Sequence, residues 1–432
     1  MTKTELKAKI LAGGIDHTLV DGLSVPKARI PAERERYARA VDEFDAIYGD
    51  GEISLFSVGG RSEISGNHTD HNHGRVIAAS VNLDILAVAK KTDDGTIRIK
   101  SEGFPEDVVP ASAVECPDES KFFTSAAIIA GMEKAFLNAG YNIGGFDAYT
   151  TSNVLKGSGI SSSAAFEVMV GNILNYLYND GKVSNVEIAK MAQFAENVYF
   201  GKPCGLMDQT ACAVGGFITI DFKDPTTPVI EKMDFDLTSA GYRLCIVNTG
   251  GNHADLNEDY ASVPAEMKAV ARELGVSVLR ETCRCALDKR LREGGSALRE
   301  KLGDRAIMRA YHFFAENERV AAQVASLRAG DVEGFKAGVV ASGNSSFKYL
   351  QNVYTTKNVA EQGLSLALCL TEEFLRDKNG VCRVHGGGFA GTIQAFIPVD
   401  DAPAYEALMN GVFGEHACHI LSVRKNGACR II

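Results

Sequence analysis

The segment Gly-Ser-Gly-Ile-Ser-Ser-Ser-Ala-Ala, at residues 157–165, constrains the fold of this chain more than any other segment. It lies between a predicted strand (146–152) and apolar residues that recur every four positions from Ala165 to Leu177, which predict a helix. Glycines let the backbone approach a ligand closely, and the free N–H groups of a helix start favour an anion. The segment therefore predicts a phosphate cradle. An ordinary Gly/Ser loop capped by serine stays open as the alternative.

Predicted strands and helices alternate along the rest of the chain, which indicates an α/β or α+β protein. The predicted strands lie at 53–58, 76–90, 96–100, 217–222, 242–248, 381–385 and 391–398. The predicted helices lie at 33–48, 124–139, 264–274, 304–327, 331–343 and 358–377, and a capping box at 184–187 opens another. A length of 432 residues without an internal repeat predicts two domains, 1–230 and 231–432.

The charge balance excludes several classes of partner. The formal net charge is −10, and the sequence contains no run of basic residues. Both observations argue against nucleic acid and against an anionic membrane surface as binding partners. The longest apolar stretches, 126–132 and 364–370, are too short to span a bilayer, and residues 1–14 lack a signal-peptide core. We therefore expect a cytoplasmic protein. We also expect it to be a monomer or a weak homodimer.

Cysteine and histidine spacings give a weaker signal. The ten cysteines are scattered, many in apolar segments, as reduced core thiols would be. Two short patterns, Cys283-Arg284-Cys285 and His416-Ala417-Cys418-His419, suggest a metal site. Neither has a second pair at zinc-finger spacing, so the sequence favours the reduced thiols.

Two further glycine-rich clusters carry polar residues. The first reads GGRSEISGNHTDHNHG at 59–74 and concentrates an arginine, an aspartate and three histidines in a stretch that we interpret as rich in turns. It suits a polar small-molecule site as well as a metal site. The other is HGGGFAG at 385–391, between two predicted strands, where three consecutive glycines suggest backbone next to a ligand.

In this order the three clusters resemble the motifs of the GHMP small-molecule kinases and, within them, the galactokinase group. GRSEISGNHTDH resembles the first motif of that group, GSGISSSA the second and GGGFAG the third. Between them, AENVYFGKPCGLMDQ and AYHFFAENERV are similar to two other galactokinase segments. The likeness runs from about residue 33 to 398. It implies an α+β, two-lobed GHMP-kinase-like fold, with a left-handed βαβ unit in the N-terminal lobe and a ferredoxin-like C-terminal lobe.

The resemblance also implies an ATP-dependent phosphotransferase with an alcohol acceptor, which makes α-D-galactose 1-phosphate. Asp208 would be the base and Arg61 would stabilise charge on the reacting oxygens. Mg²⁺ would be held by Ser162 and Glu196. The residues expected to bind the sugar are Asn67, His68, Asp70, Asp208, Tyr260 and Gly387. Those expected to bind the phosphates of ATP are Gly157, Ser158, Gly159, Ile160, Ser161, Ser162, Ser163 and Ala164.

Simpler interpretations of three of these residues stay open. Glu196 could be a solvated helix charge, Asp208 a carboxylate at a helix N-terminus, and Tyr260 a core aromatic with its hydroxyl at the rim. The apolar residues beside Glu196 and the sequence PCGLMDQ around Asp208 favour the functional roles for both.

Three positions of the first motif depart from the galactokinase pattern. Glu63 stands where the family has Asn, Asn67 where it has Glu, and His71 where it has Tyr. The family's Glu is expected to bind the 6-hydroxyl of galactose. An amide still bonds a hydroxyl, and it no longer repels a carboxylate. A galacturonate 1-kinase is therefore the runner-up, since galacturonate kinases also lack that Glu. A non-catalytic ATP- and sugar-binding sensor is a third hypothesis, and the complete second motif argues against it.

Overall fold

The structure contains most of the helices and strands predicted from the sequence, and it adds helices at 3–11, 207–214, 284–302 and 402–413 and strands at 106–110, 229–233, 418–421 and 429–430. The computed structural model describes residues 3–110, 116–154, 160–202, 204–251 and 256–432. The helices of this part of the chain are α1 (Lys3–Leu11), α2 (Ile30–Tyr48), α3 (Ser125–Asn138), α4 (Ser162–Tyr178), α5 (Asn185–Phe194), α6 (Met207–Val214), α7 (Asn257–Glu273), α8 (Arg284–Leu302), α9 (Asp304–Arg328), α10 (Val332–Ser345), α11 (Gly363–Phe374) and α12 (Ala402–Phe413). The strands are β1 (Ser54–Ser65), β2 (Arg75–Lys91), β3 (Thr96–Ser101), β4 (Glu106–Pro110), β5 (Phe146–Ser152), β6 (Phe217–Asp221), β7 (Val229–Met233), β8 (Tyr242–Asn248), β9 (Val381–Val384), β10 (Thr392–Pro398), β11 (Cys418–Leu421) and β12 (Cys429–Arg430).

The first sheet runs in the order β12-β1-β2-β5-β3-β4, and β6 and β7 extend it beside β2. The long strand β2 is shared, because its first residues pair with β6 and its last with β5. Strands β3 and β5 are parallel and are joined through β4 and α3, which makes a βαβ unit. Its left-handedness stays a prediction. Helices α3 to α6 contribute buried apolar side chains to the core on this sheet.

The second sheet has the order β11-β8-β10-β9, and all its described pairings are antiparallel. Helices α11 and α12 share an apolar core with it, while α7, α8 and α9 bury a separate apolar cluster among themselves. An antiparallel sheet packed by helices fits the expected ferredoxin-like lobe, and the mixed α+β class is confirmed.

The boundary expected at residue 230 falls inside β7, which pairs with β6 of the first sheet. At the far end of the chain, β12 returns to the first sheet, where Arg430 pairs with Phe56 of β1. The division into 1–230 and 231–432 stays a prediction, and the last residues of the chain belong to the core of the first sheet rather than the second.

Strand β1 is longer than predicted. The sequence suggested an end at residue 58 and a turn-rich stretch beyond it, but the strand continues to Ser65, with irregular register at Gly59–Arg61 and Glu63–Ser65. Gly59 and Gly60 let neighbouring segments approach the strand backbone closely, and they do not form a turn. A Cβ at Gly59 would lie 2.6 Å from the Val81 carbonyl oxygen, and one at Gly60 would lie 2.7 Å from Ile160.

The cysteine expectations need one correction. Cys283 and Cys285 form a disulfide at the start of α8, so the prediction of reduced thiols is wrong for this pair. The other eight cysteines are free. No group of three or more His, Cys, Asp or Glu suited to a metal ion occurs among the described residues, at 283–285, at 416–419 or elsewhere. Within the same residues, no helix is both long and apolar enough to cross a membrane.

Glu133 is a buried carboxyl that forms no ion pair with any residue that the structure describes. It lies on α3 with no exposed surface, and neither oxygen has a hydrogen-bond partner among the described residues. Burial raises the pKa of Glu133 to about 8. The folded state therefore holds this proton more tightly than the unfolded chain does, so the carboxyl costs stability as the pH rises from about 4.5 towards 8.

We expect Glu133→Leu to raise the free energy of unfolding at pH 8 by about 1–3 kcal/mol, because it removes a buried polar group without a partner. The gain should shrink at pH 5, where the wild-type carboxyl is already protonated. Urea unfolding at both pH values measures it, and Glu133→Gln, which keeps the size but not the charge, should show the same trend. Equal gains at both pH values would contradict this account.

Candidate active site

Arg61 and Asp208 form a bidentate ion pair that joins β1 to the first turn of α6. The Nε atom of Arg61 donates to Asp208 Oδ1 at 2.7 Å, and Nη2 donates to Oδ2 at 2.6 Å. Arg61 is buried, so its charge depends on this partner. The two parallel hydrogen bonds fix the plane of the carboxylate.

Asp208 is held by a second element as well. The Ser161 hydroxyl at the start of α4 donates to Asp208 Oδ2. Burial raises the pKa of the Asp208 carboxyl, but Arg61 and Ser161 outweigh burial and hold that pKa below its usual value. Asp208 is therefore ionised at neutral pH, as an acceptor of protons must be.

Part of the predicted phosphate cradle lies outside the described residues, namely Gly157, Ser158 and Gly159. The described part begins at Ile160, whose side chain is buried and whose carbonyl accepts from the N–H of Arg61 at 3.1 Å. Ser161 has a left-handed backbone (φ +54°), and α4 starts at the next residue, Ser162. Ser163 is exposed in the first turn, while Ala164 faces the core. The strand–loop–helix order predicted from the sequence is confirmed.

Glu196 lies in a short π-type helix, Ala195–Phe200, and is 3% exposed. It is thus a buried carboxylate and not a solvated helix charge. Gln209 Nε2 donates to Glu196 Oε2 at 2.7 Å and also to Glu167 Oε2 at 3.0 Å. On the other side, Lys202 Nζ lies 3.3 Å from Glu196 Oε1. One amide therefore separates two buried carboxyl groups, and burial together with the neighbouring Glu196 raises the pKa of Glu167 well above its usual value.

These groups meet in one cavity of about 330 Å³. Its lining includes six of the predicted site residues: Arg61, Asp70, Ser161, Ser163, Glu196 and Asp208. It also includes Lys202, Cys204, Gly205, Met207 and Gln209, which the sequence analysis did not single out. A basic pair, an ionised carboxylate and hydroxyls around a cavity of this size suit a small polar substrate with a phosphate group.

The loop between β1 and β2 carries His68 and Asp70. It turns at Gly66, whose φ is +98° and where a Cβ would lie 2.4 Å from the carbonyl oxygen of Arg75. His68 Nε2 donates to the Gly387 carbonyl at 2.9 Å. Burial and the neighbouring His71 lower the pKa of His68 to about 4, so the ring is neutral at pH 7.

Tyr260 and the glycine-rich turn at 386–388 form, with His68, a second group of predicted residues, and none of them is among the residues that line the cavity. The Tyr260 hydroxyl donates to the Gly388 carbonyl at 2.8 Å, and a Cβ at Gly387 would lie 2.6 Å from the Tyr260 ring. Tyr260 is half-buried, and burial raises its pKa to about 12. The turn therefore needs glycine because the tyrosine packs directly on it.

Asn67 is fully buried, and the whole of its amide is in use. Its Nδ2 donates to Glu63 Oε1 at 3.0 Å and to the Gly386 carbonyl at 2.6 Å. Its Oδ1 accepts from Asn352 at 2.8 Å and from Ser346 at 3.2 Å. A sugar hydroxyl would have to displace one of these partners, so sugar binding by Asn67 stays a prediction.

Comparisons with known proteins agree with this geometry. Residues 125–216 match the GHMP kinases N terminal domain, and residues 42–91 match the galactokinase galactose-binding signature. A galactokinase of Streptomyces coelicolor is 33% identical over 313 residues, which cover 71% of this chain and 77% of that protein. The chain belongs to the galactokinase family.

Further relatives support the same family and fold. A galactokinase of Enterococcus faecalis is 29% identical, over 84% of this chain and 91% of its own length. The crystal structure of Lactococcus lactis galactokinase complexed with galactose superposes with a TM-score of 0.74 at 24% identity, over 90% of this chain and 98% of that one. A mevalonate kinase gives a TM-score of 0.58 at 12% identity, covering 87% and 100%.

The galactokinase family implies ATP as a substrate. A Mg²⁺ ion would accompany ATP, and the residues around Glu196 show whether the cavity has suitable ligands for it. Glu196 supplies a buried carboxylate oxygen to the cavity, and among the described residues it forms an ion pair with the Lys202 ammonium. Oε1 of Glu167, next to it, is buried without a hydrogen-bond partner among the described residues. An oxygen-rich corner of this kind suits a hard cation whose remaining ligands are phosphates and water.

Sequence reasoning missed Gln209, Glu167 and Lys202. Gln209 follows Asp208 directly, so its place in PCGLMDQ was a usable signal. Lys202 lies in the same quoted segment, AENVYFGKPCGLMDQ, and so had the same signal. Glu167 gave none, because only the packing of α4 against α6 brings it to Gln209.

We expect Gln209→Met to weaken Mg²⁺-dependent ATP binding about tenfold, because Glu196 loses the donor that orients it and faces Glu167 directly. Isothermal titration calorimetry with and without Mg²⁺ measures this. Gln193→Met is the matched control, since within the described part of the chain the Gln193 side chain donates to the Cys204 carbonyl and not to Glu196. Equal binding by the two variants would show that Gln209 does not orient Glu196.

Proposed function

We propose that this protein is a galactokinase that transfers the γ-phosphoryl group of ATP to the anomeric hydroxyl of galactose. The observation that carries the proposal is the Arg61–Asp208–Ser161 arrangement in one cavity with Glu196. In phosphoryl transfer a protein contributes mainly by positioning the reactants and by stabilising charge on the transferred phosphoryl group. Because ATP is the donor, we place the protein in the cytoplasm.

Asp208 accepts the proton of the attacking hydroxyl. A carboxylate paired with arginine is a weak base, but a loose phosphoryl-transfer transition state requires little proton transfer before the new P–O bond forms. Asp208 therefore orients the hydroxyl first and takes its proton late. Arg61 holds the carboxylate in plane and offers positive charge to the reacting oxygens.

The phosphates lie on the start of α4, whose free N–H groups and serine hydroxyls favour an anion. Ser162 and Glu196 would hold Mg²⁺, which supplies the charge neutralisation that phosphoryl transfer requires. Lys202 is placed to meet a phosphate oxygen, since its ammonium lies at the cavity beside Glu196. His68, Asp70 and Tyr260 bind the sugar, and the neutral His68 ring supports that role because it forms directional hydrogen bonds without adding charge.

We expect Asp208→Asn to lower kcat by at least about 10²-fold, because the amide still accepts from Arg61 but cannot take a proton. Asp180→Asn is the control, since Asp180 is exposed and its ion pair in the described structure is with Lys182, outside the cavity. A folded Asp208→Asn protein with near-normal kcat would remove Asp208 as the base.

Steady-state kinetics on galactose and galacturonate with ATP test the substrate. Residue 67 bears no carboxylate, and Glu63 is paired with the buried Arg383 at 3.2 Å, so an acidic sugar meets no free carboxylate from these two positions. If kcat/KM for galacturonate is about tenfold above that for galactose, the protein is a galacturonate kinase. Binding of both ligands without sugar-dependent ADP formation would indicate the sensor instead.

A further inference from the structure

Helix α9 holds the backbone of the loop between β1 and β2, which we call the 66–75 loop. At its start, the Gly66 N–H donates to Glu316 Oε1 at 3.1 Å. One residue on, His312 Nε2 donates to the Asn67 carbonyl at 2.9 Å. At its end, the Arg75 N–H donates to Asn317 Oδ1 at 3.0 Å. Three side chains from one helix therefore bond the loop at both ends.

The α9 side chains are themselves fixed. His312 and Glu316 have no exposed surface. His312 Nδ1 accepts from the Ser345 hydroxyl at 2.9 Å, which leaves Nε2 protonated and able to donate. Although burial raises the pKa of Glu316, its basic neighbours, the Arg319 and Arg383 guanidinium groups among them, hold that pKa below its usual value. Glu316 is thus an ionised acceptor, and an N–H bond to a charged group is stronger than a neutral one.

Asn317 is anchored from the other side. Arg280 Nη1 donates to Asn317 Oδ1 at 2.7 Å, and Arg280 Nη2 donates to Asp221 at 2.8 Å. Asp221 also accepts from the Arg75 side chain at 2.8 Å. The end of the loop therefore lies in a polar network joining β2, β6 and α9.

We propose that His312, Glu316 and Asn317 are positioning residues, which hold the 66–75 loop in the conformation that presents His68 and Asp70 to the sugar. None of the three lines the cavity that contains Asp208 and Glu196. They act on substrate binding through the loop backbone alone. The sugar part of this inference rests on the proposed function, whereas the fixing of the loop does not.

The first test is kinetic. Asn317 is only half-buried, so Asn317→Ala should fold. Loss of one hydrogen bond of ordinary strength should raise KM for galactose about three- to tenfold and leave KM for ATP unchanged. His312→Leu should do the same, and His312→Gln should restore the wild-type KM, because its amide can donate to the Asn67 carbonyl. Leu327→Ala, a core substitution at the far end of α9, is the control for general destabilisation and should leave both KM values unchanged.

The second test needs no substrate. Amide hydrogen exchange should accelerate at Arg75 in Asn317→Ala and remain unchanged at Gly66, because the two N–H groups use different acceptors on α9. Slow exchange at Arg75 in Asn317→Ala, or an equal rise of both KM values, would overturn the proposal. If the wild-type enzyme were inactive on galactose, the proposed function would fail, and the exchange data would still decide whether α9 fixes the loop.

Discussion

A buried guanidinium on β1 must find an anion, and in this protein the anion is Asp208, 147 residues further along the chain. Burying Arg61 without a partner would cost several kcal/mol, so strand β1, the start of α4 and the first turn of α6 can pack together only where this pair forms. The Arg61 N–H also bonds the Ile160 carbonyl, which ties the entry of α4 to the same point. Core packing and the arrangement of the active site therefore depend on the same contacts.

The glycines around this ion pair have steric roles that differ along one motif. Gly59 and Gly60 keep β1 extended where Val81 and Ile160 come close, whereas Gly66, with its positive φ, turns the chain away from the sheet. The glycine-rich cluster at 59–74, which the sequence suggested to be rich in turns throughout, is therefore strand up to Ser65 and a loop from Gly66 onward. The change occurs where α9 takes over from the sheet as the hydrogen-bond partner of the backbone.

The sequence predicted α4 from its apolar repeat, β5, and the capping box of Ser184 and Glu187. It missed helix α6, which carries Asp208, and it ended strand β1 before Arg61. It could not predict contacts between distant segments. The return of β12 to β1, the bridge from Gln209 to Glu167 and the use of every hydrogen-bonding group of Asn67 all depend on tertiary packing. The Cys283–Cys285 disulfide was missed because the cysteines are scattered, many of them in apolar segments, which favoured reduced thiols.

The exchange of Glu and Asn in the first motif keeps a carboxylate in the same buried cluster but moves it from residue 67 to residue 63. There Arg383 neutralises it, and Asn67 donates to it.

The acidic and basic side chains that line the catalytic cavity are unequal in number. Among its described lining residues, Asp70, Glu196 and Asp208 face only Arg61 and Lys202, so the acidic groups outnumber the basic ones before any triphosphate enters. An excess of negative charge of this kind favours a divalent cation beside the triphosphate, as the proposed function requires. In that proposal the buried oxygens of Glu196 and Glu167 are the acidic groups that such a cation would offset.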